Sequence, residues 1–294
     1  MPEGAGPVRS ERRGGVRLIT LDHPPVNVLS ASVLDALSDA LTAAERDPPS
    51  RVVVLASAAE KAFAAGADIR EMRSLDPAGA RVHGGRGQSV TRTIERLPLP
   101  VVAAVHGVCF GGGLEIVLAC DLIVASEDAQ FGQPEINLGV MPGWGGTRRL
   151  PRRVGAQLAR RMILTGRPIS ASEARTAGLV ERVVPRAELL PAALALADEL
   201  ATKPPVALAA AKYALLRAID PDVDGGLAYE LDLWSRLFGT HGQREGMSAF
   251  LDKRPPVGVD RGAWDAESTG FPWATRDAAR GGGKRDKSSA PPPA

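Results

Sequence analysis

The sequence predicts an α/β fold that ends in an α-helical region. Short runs of small and β-branched residues recur at 16–21, 51–56 and 101–105, each suited to a buried strand. Segments with apolar residues at helical spacing lie between them. Beyond Glu188 the alternation stops, and alanine- and leucine-rich helices succeed one another. Alternating strands and helices are the pattern of a sheet covered by helices.

In chain order, residues 1–12 are rich in Pro, Gly and Arg and are expected to be disordered. Val16 to Leu21 alternates well enough for a strand, ended by His23-Pro24-Pro25. In 30–47, Leu34, Leu37, Leu41 and Ala44 fall on one helical face, with Ser30 or Ser32 as cap and Pro48-Pro49 as stop. Residues 51–56 form a buried strand, and 57–68 a loop of small residues that, taken alone, reads as a surface loop. Residues 76–97 have a helical tendency weakened by Gly79, Gly84, Gly85 and Gly87, since an interior glycine loses about 1 kcal/mol against alanine. His83, within them, is expected to face solvent. Later helices are expected over 188–201, 206–219, 226–238 and 243–253. Residues from 258 on are rich in Gly, Pro and charge and read as a disordered tail.

Composition narrows the function classes. Hydrophobic residues make up 44% of the 294 residues but aromatics only 4%, so the core is built from Ala, Val and Leu. A net charge of +2 gives no general affinity for polyanions. The apolar runs are too short to span a bilayer, and the N-terminus lacks a secretory h-region. Its arginines are interrupted by Glu3 and Glu11, which argues against a mitochondrial transit peptide. Cys109 and Cys120 lack metal-ligand spacing and sit in apolar sequence, as packing residues in a reducing, cytoplasmic compartment would. Arg148, Arg149, Arg152, Arg153, Arg160 and Arg161 form a basic cluster; a solvated helix face or subunit contact is the commoner meaning, and nucleic acid is not an expected partner.

The chemistry gathers at His106 to Glu135. A strand over 101–105 leads to Gly111-Gly112-Gly113 and then to an apolar helical run. Such a turn leaves backbone N–H groups unpaired at the positive end of a helix, with no side chains in front of them, and can bind an oxyanion. Glu115 falls in the first helical turn, and Glu135 follows twenty residues later, after the chain returns as another strand. Two carboxylates beside one oxyanion hole suit proton transfer at a carbon next to a carbonyl. A dinucleotide loop is excluded because Ile116 stands where the last glycine of G-x-G-x-x-G belongs. The glycine-rich 139–147 lacks the Lys-Ser/Thr ending of a phosphate loop.

The elements Gly-Gly-Gly-Leu-Glu, Phe-Gly-Gln-Pro-Glu and Pro-Gly-Trp-Gly-Gly-Thr-Arg-Arg-Leu between 111 and 150 closely resemble the enoyl-CoA hydratase/isomerase (crotonase) family. So do Lys61-Ala62-Phe63-Ala64-Ala65-Gly66-Ala67-Asp68-Ile69-Arg70-Glu71-Met72 and the later Arg244-Glu245-Gly246-Met247. The match runs over about 13–256. The resemblance implies a crotonase-like spiral of repeated ββα units with a C-terminal helical trimerisation region. The corresponding division is a disordered 1–12, a catalytic core 13–200, an oligomerisation region 201–257 and a largely disordered tail 258–294.

It further implies reversible hydration of a trans-2-enoyl-CoA, with Glu115 and Glu135 as the acid/base pair and the N–H groups of Ala67 and Gly112 as the oxyanion hole. Ala65, Gly66, Asp68, Ile69, Arg70, Gly111 and Trp144 would contact substrate, with Phe250 and Lys253 reaching the coenzyme A nucleotide from an adjacent subunit. Trp144 fills a position often held by alanine and is expected to shorten or reshape the acyl pocket. No metal or separate cofactor is implied, coenzyme A being part of the substrate. The helices after Glu188 would pack against neighbouring subunits in a homotrimer or a hexamer of two trimers. His106 replaces a common asparagine and is expected to bond a neighbouring loop. Alternatives are a double-bond isomerase or other acyl-CoA enzyme of the family, or an RNA-binding or scaffold protein on the same fold.

Overall fold

The structure, a computed structural model, describes residues 6–218, 222–258 and 271–273. Its first element corrects the sequence expectation. Val8–Arg13 (β1) is a strand, paired antiparallel with Val16–Leu21 (β2). The signal missed was Gly14-Gly15, a two-residue hairpin turn whose first glycine has φ +59°. Of the segment expected to be disordered, 1–5 lie outside the described residues.

After Val28–Leu29 (β3), the Ser30 hydroxyl caps α1 (Ala31–Glu45) by accepting from the Val33 N–H. The chain then repeats one pattern. Val52–Ser57 (β4) is followed by Ala62–Ala64 (β5), Gly66–Ala67 (β6) and the helices Ile69–Met72 (α2) and Pro77–Arg96 (α3). Val101–Val105 (β7) and Val108–Phe110 (β8) precede Gly112–Ala119 (α4). Leu122–Ser126 (β9) and Gln130–Gly132 (β10) precede a 3-10 turn at Pro134–Leu138 and then Gly146–Thr165 (α5). Ile169–Ser170 (β11), Ala171–Thr176 (α6) and Arg182–Val184 (β12) complete the sheets, and Leu189–Ala201 (α7), Pro205–Arg217 (α8), Val223–Leu237 (α9) and His241–Leu251 (α10) follow.

Among the described residues one sheet runs β1-β2-β4-β7-β9-β12 and a second runs β11-β10-β8-β5. In each repeat the first strand joins the large sheet and the second joins the small one, which makes the expected ββα spiral. Parallel pairing of β4, β7 and β9 buries the large sheet on both faces. Val53, Leu55, Ala103 and Val105 face the main core, while Val52, Val54, Val102 and Ala104 face Leu189, Ala193 and Ala197 of α7. That two-sided burial explains why these strands read as unbroken apolar runs. It also gives α7, expected to meet a neighbouring subunit, a face that covers the chain's own sheet.

A buried lysine fastens α8 to this core. Lys212 Nζ donates to the carbonyls of Ile94 and Leu99, each at 3.0 Å, and to Asp121 Oδ2 at 2.7 Å. Asp121 Oδ2 also accepts from the Val101 N–H at the start of β7. Removing one partner of a buried ion pair strands the others without hydrogen bonds. Lys212→Ala is therefore expected to destabilise the protein by about 3 kcal/mol, read as a lower midpoint in urea; an unshifted midpoint would refute the tie.

Residues 271–273, the described part of 259–294, depart from the expected disordered tail. Phe271 and Trp273 are buried, stacked on one another at 4.7 Å, and pack with Val206, Ala209, Ala210 and Tyr213 of α8. Two large aromatics bring enough apolar area to hold these three residues against α8. The rest of 259–294 lies outside the described residues. On α9, Leu227, Leu231 and Trp234 are exposed, as is Phe250 on α10. No helix among the described residues is long and apolar enough to cross a membrane.

Candidate active site

The site forms where the β5–β6 segment meets the β8–α4 turn. Gly111 has φ +52° and ψ −126°, a conformation closed to L side chains, and a Cβ there would lie 3.2 Å from Glu135 Oε1. Gly111 N–H is used by the Gly132 carbonyl, which ties the turn to β10. Gly112 then opens α4, where an N–H has no carbonyl within the helix to bond. Gly66, at φ +105°, packs directly on this turn: a Cβ on it would come 3.7 Å from the Gly112 nitrogen. The two segments expected to supply oxyanion donors are thus in contact.

Glu115 is buried, 2% exposed, and its Oε1 accepts from the backbone N–H groups of Trp144 and Gly146 at 2.7 Å each. Burial raises its pKa; those N–H groups and the Arg149 charge pull it back only in part. Glu135 sits in the 3-10 turn after Pro134. Burial pushes its pKa up to about 7, and the neighbouring Glu115 charge adds to the rise. The Gln133 amide, with its nitrogen turned to the carboxylate, donates to both Glu135 oxygens at 2.7 and 3.1 Å. Gln133 is itself fully buried. The sequence marked it only as part of the Phe-Gly-Gln-Pro-Glu element, with no role of its own.

Both carboxyl groups line one cavity of about 340 Å³, together with Ala65, Gly66, Ala67, Ile69, Gly111, Gly112 and Trp144. Other expected contacts lie elsewhere. Asp68 caps α2 by accepting from the Arg70 N–H, and neither it nor Arg70 is among the lining residues. Phe250, near the end of α10, and Lys253, two residues beyond it, are also outside the lining. His83 corrects the sequence reading. It is half-buried, lines the cavity, and packs its ring against Trp144 with centroids 5.9 Å apart. His106 bonds the Ala59 carbonyl at 2.7 Å, as expected, and burial lowers its pKa.

Trp144 shapes this wall. Its indole, 4% exposed, occupies space that only glycine leaves open on two helices. A Cβ on Gly87 of α3 would fall 2.2 Å from the ring, and one on Gly112 would fall 2.3 Å from it. Thr91 Oγ1 and Arg149 Nη1 both donate to the Trp144 carbonyl, at 3.1 and 2.7 Å. Arg149 is in turn held by both Glu95 oxygens, at 2.7 and 2.8 Å. Arg153 donates to carbonyls at the end of α4, so part of the basic cluster ties the interior together.

Comparison with known proteins agrees with this geometry. The enoyl-CoA hydratase/isomerase family model matches residues 11–260. The chain is 40% identical to the short-chain-enoyl-CoA hydratase of Clostridium acetobutylicum, over 83% of this chain and 94% of that one. It is 39% identical to the crotonyl-CoA hydratase of Syntrophomonas wolfei, again over 83% and 94%. Among solved structures, an enoyl-CoA hydratase from Bacillus anthracis superposes with a TM-score of 0.81 at 38% identity, over 85% of this chain and 98% of that one. With this sequence match, the spiral of ββα units and the paired glutamates in one cavity, the chain belongs to the enoyl-CoA hydratase/isomerase (crotonase) family.

Proposed function

We propose that the protein is an enoyl-CoA hydratase, adding water reversibly and syn across a trans-2-enoyl-CoA to give a 3-hydroxyacyl-CoA. The observation that carries this reading is that two carboxyl groups of raised pKa line one cavity beside the Gly112 turn. The thioester oxygen accepts hydrogen bonds from the Ala67 and Gly112 N–H groups. Negative charge then collects there as water attacks C3, and preorganised donors of this kind are worth about 10²–10³ in rate each. Glu115 takes a proton from the attacking water, and Glu135 delivers its own proton to C2. A proton passed between the two restores the starting state, so the pair titrates as a unit. Double-bond isomerases generally manage with a single carboxylate, so retention of both favours hydration. Loss of the conjugated-enoyl absorbance in a screen of crotonyl-, longer linear, branched and aromatic enoyl-CoA tests the assignment; no loss with any of them would sink it.

The acyl chain preferred is short. The Trp144 indole stands against Gly112 and takes up room that a longer chain would need. The names of two relatives, a short-chain-enoyl-CoA hydratase and a crotonyl-CoA hydratase, point the same way. Trp144→Ala is expected to raise kcat/KM on eight- to ten-carbon enoyl-CoA relative to crotonyl-CoA by about tenfold or more, a few buried methylenes' worth. An unchanged ratio would count against the wall. The exposed apolar side chains of α9 and α10 suit a homotrimer, or a hexamer of two trimers, in which Phe250 and Lys253 approach a neighbour's coenzyme A. Cys109 and Cys120 are free and buried, in keeping with a cytoplasmic location. No group beyond the coenzyme A thioester itself enters this chemistry, and the arginines of α5 that tie the interior weaken the RNA-binding alternative.

A further inference from the structure

Within the basic run of α5, Arg149 turns inward and closes a path of bonds that ends at Glu115. Its side chain is only 13% exposed, and it is not among the residues that line the cavity. Nε and Nη2 donate to the two oxygens of Glu95 on α3, at 2.7 and 2.8 Å, while Nη1 donates to the Trp144 carbonyl at 2.7 Å. A planar guanidinium offers this fork of donors; the ammonium of lysine does not reproduce it. Glycine at 145 makes room for the arrangement, since a Cβ there would collide with Arg149 Nη1.

The peptide group clamped in this way, Trp144–Gly145, stands between two that serve the site. Its neighbours on either side carry the Trp144 and Gly146 N–H groups, which both donate to Glu115 Oε1 at 2.7 Å. Consecutive peptide planes share a Cα atom, so a rotation of the middle one carries both donors with it. From α3, Gln88 Nε2 also donates to the Gly143 carbonyl at 2.9 Å and Thr91 Oγ1 to the Trp144 carbonyl at 3.1 Å. Glu115 is buried, so its charged form depends on these fixed donors. The titratable and charged groups that face it are Arg149 from α5, which favours its ionised form, and, across the cavity, Glu135 from the 3-10 turn and His83 from α3. Arg153 of α5 bonds carbonyls at the far end of α4 instead.

We propose that Arg149, braced by Glu95, is a positioning residue for hydration: it fixes the turn whose N–H groups hold the Glu115 carboxylate in place. This rests on the hydratase reading above and adds to it a group that touches no substrate atom.

A double-variant cycle on crotonyl-CoA hydration is the test. Arg149→Met is expected to lower kcat by about 10- to 100-fold with KM changed less than about threefold, the pattern of a misplaced catalytic group. In the Glu115→Gln background, which has no carboxylate to position, the same change is expected to cost less than about threefold. Loss of folded protein would lower the rate alike in both backgrounds, so the difference between them reads the positioning. The acid limb of kcat/KM is expected to move to higher pH in Arg149→Met, because removal of the cation makes Glu115 harder to ionise. Arg149→Lys, which keeps the charge but not the fork, is expected to lose part of kcat while its acid limb stays nearer that of wild type. An equal cost in both backgrounds, or an acid limb unmoved in Arg149→Met, overturns the role of Arg149 alone. A wild type that hydrates neither crotonyl-CoA nor a longer enoyl-CoA overturns the hydratase reading and this proposal with it.

Discussion

Glu135→Gln is expected to lower kcat for hydration by about 10²–10⁴-fold, the usual range for loss of a positioned proton donor. Glutamine keeps the shape and the contact with Gln133 but has no proton to give to C2. KM should change little, since the oxyanion donors and the acyl wall are untouched. The pH profile supplies a second readout. A carboxyl whose pKa is raised to about 7 is half protonated near neutrality, so wild-type kcat/KM should fall on the alkaline side of about that value. Glu115, whose pKa is also raised, is expected to set the acid limb, since as the proposed base it must be ionised to accept a proton.

Stability separates this from simple unfolding. The folded pKa of Glu135 is about 7 against an ordinary 4.5, so between those values the folded state holds more proton than the unfolded one, and stability falls as pH rises. Glutamine carries no such penalty. Glu135→Gln should therefore be more stable than wild type above about pH 7, and the margin should shrink towards the ordinary carboxylate range. A variant that is both active and no more stable at alkaline pH would place Glu135 outside the chemistry.

What could be read in the sequence was what is local along the chain. Gly111-Gly112-Gly113 and Glu115 lie within one turn, and their arrangement follows from helix geometry alone. Ser30 was legible for the same reason, capping α1 by accepting from an N–H three residues on. The contacts that shape the cavity join distant positions. Gly87 looked like a defect in a helix, yet its missing Cβ is what admits the Trp144 indole, 57 residues away. His83 was expected in solvent because its helix is polar and glycine-rich, and the side chain that partly covers it comes from the loop before α5. Gln133 lay inside the Phe-Gly-Gln-Pro-Glu element but was given no role, since an amide acquires one only once the carboxylate it faces is placed. At the ends of the chain composition misled. Six residues dense in charge still form β1 because Gly14-Gly15 folds them back on β2, and Phe271 and Trp273 outweigh their polar surroundings.

The same indole makes the second large effect. Gly112→Ala is expected to reduce kcat by about 10²-fold or more, on the scale of a misplaced or lost oxyanion donor. Alanine is intrinsically the better helix former, so on propensity alone the change would be harmless. The added Cβ, however, would lie 2.3, 2.7 and 2.9 Å from three carbons of Trp144. The indole cannot yield easily, because Gly87 holds its other side with equally little room and its backbone is anchored at both the N–H and the carbonyl. The start of α4 must give instead, and with it both the Gly112 N–H and, three residues on, Glu115. Trp144→Ala removes the obstacle without touching the amide. In the double variant Gly112→Ala/Trp144→Ala the penalty of the alanine at 112, measured against Trp144→Ala alone, should fall to within about tenfold, a coupling that only neighbours show. If the alanine costs the same in both backgrounds, the clash with the indole is not its cause; if it costs nothing in either, the Gly112 N–H is not gripping the thioester oxygen.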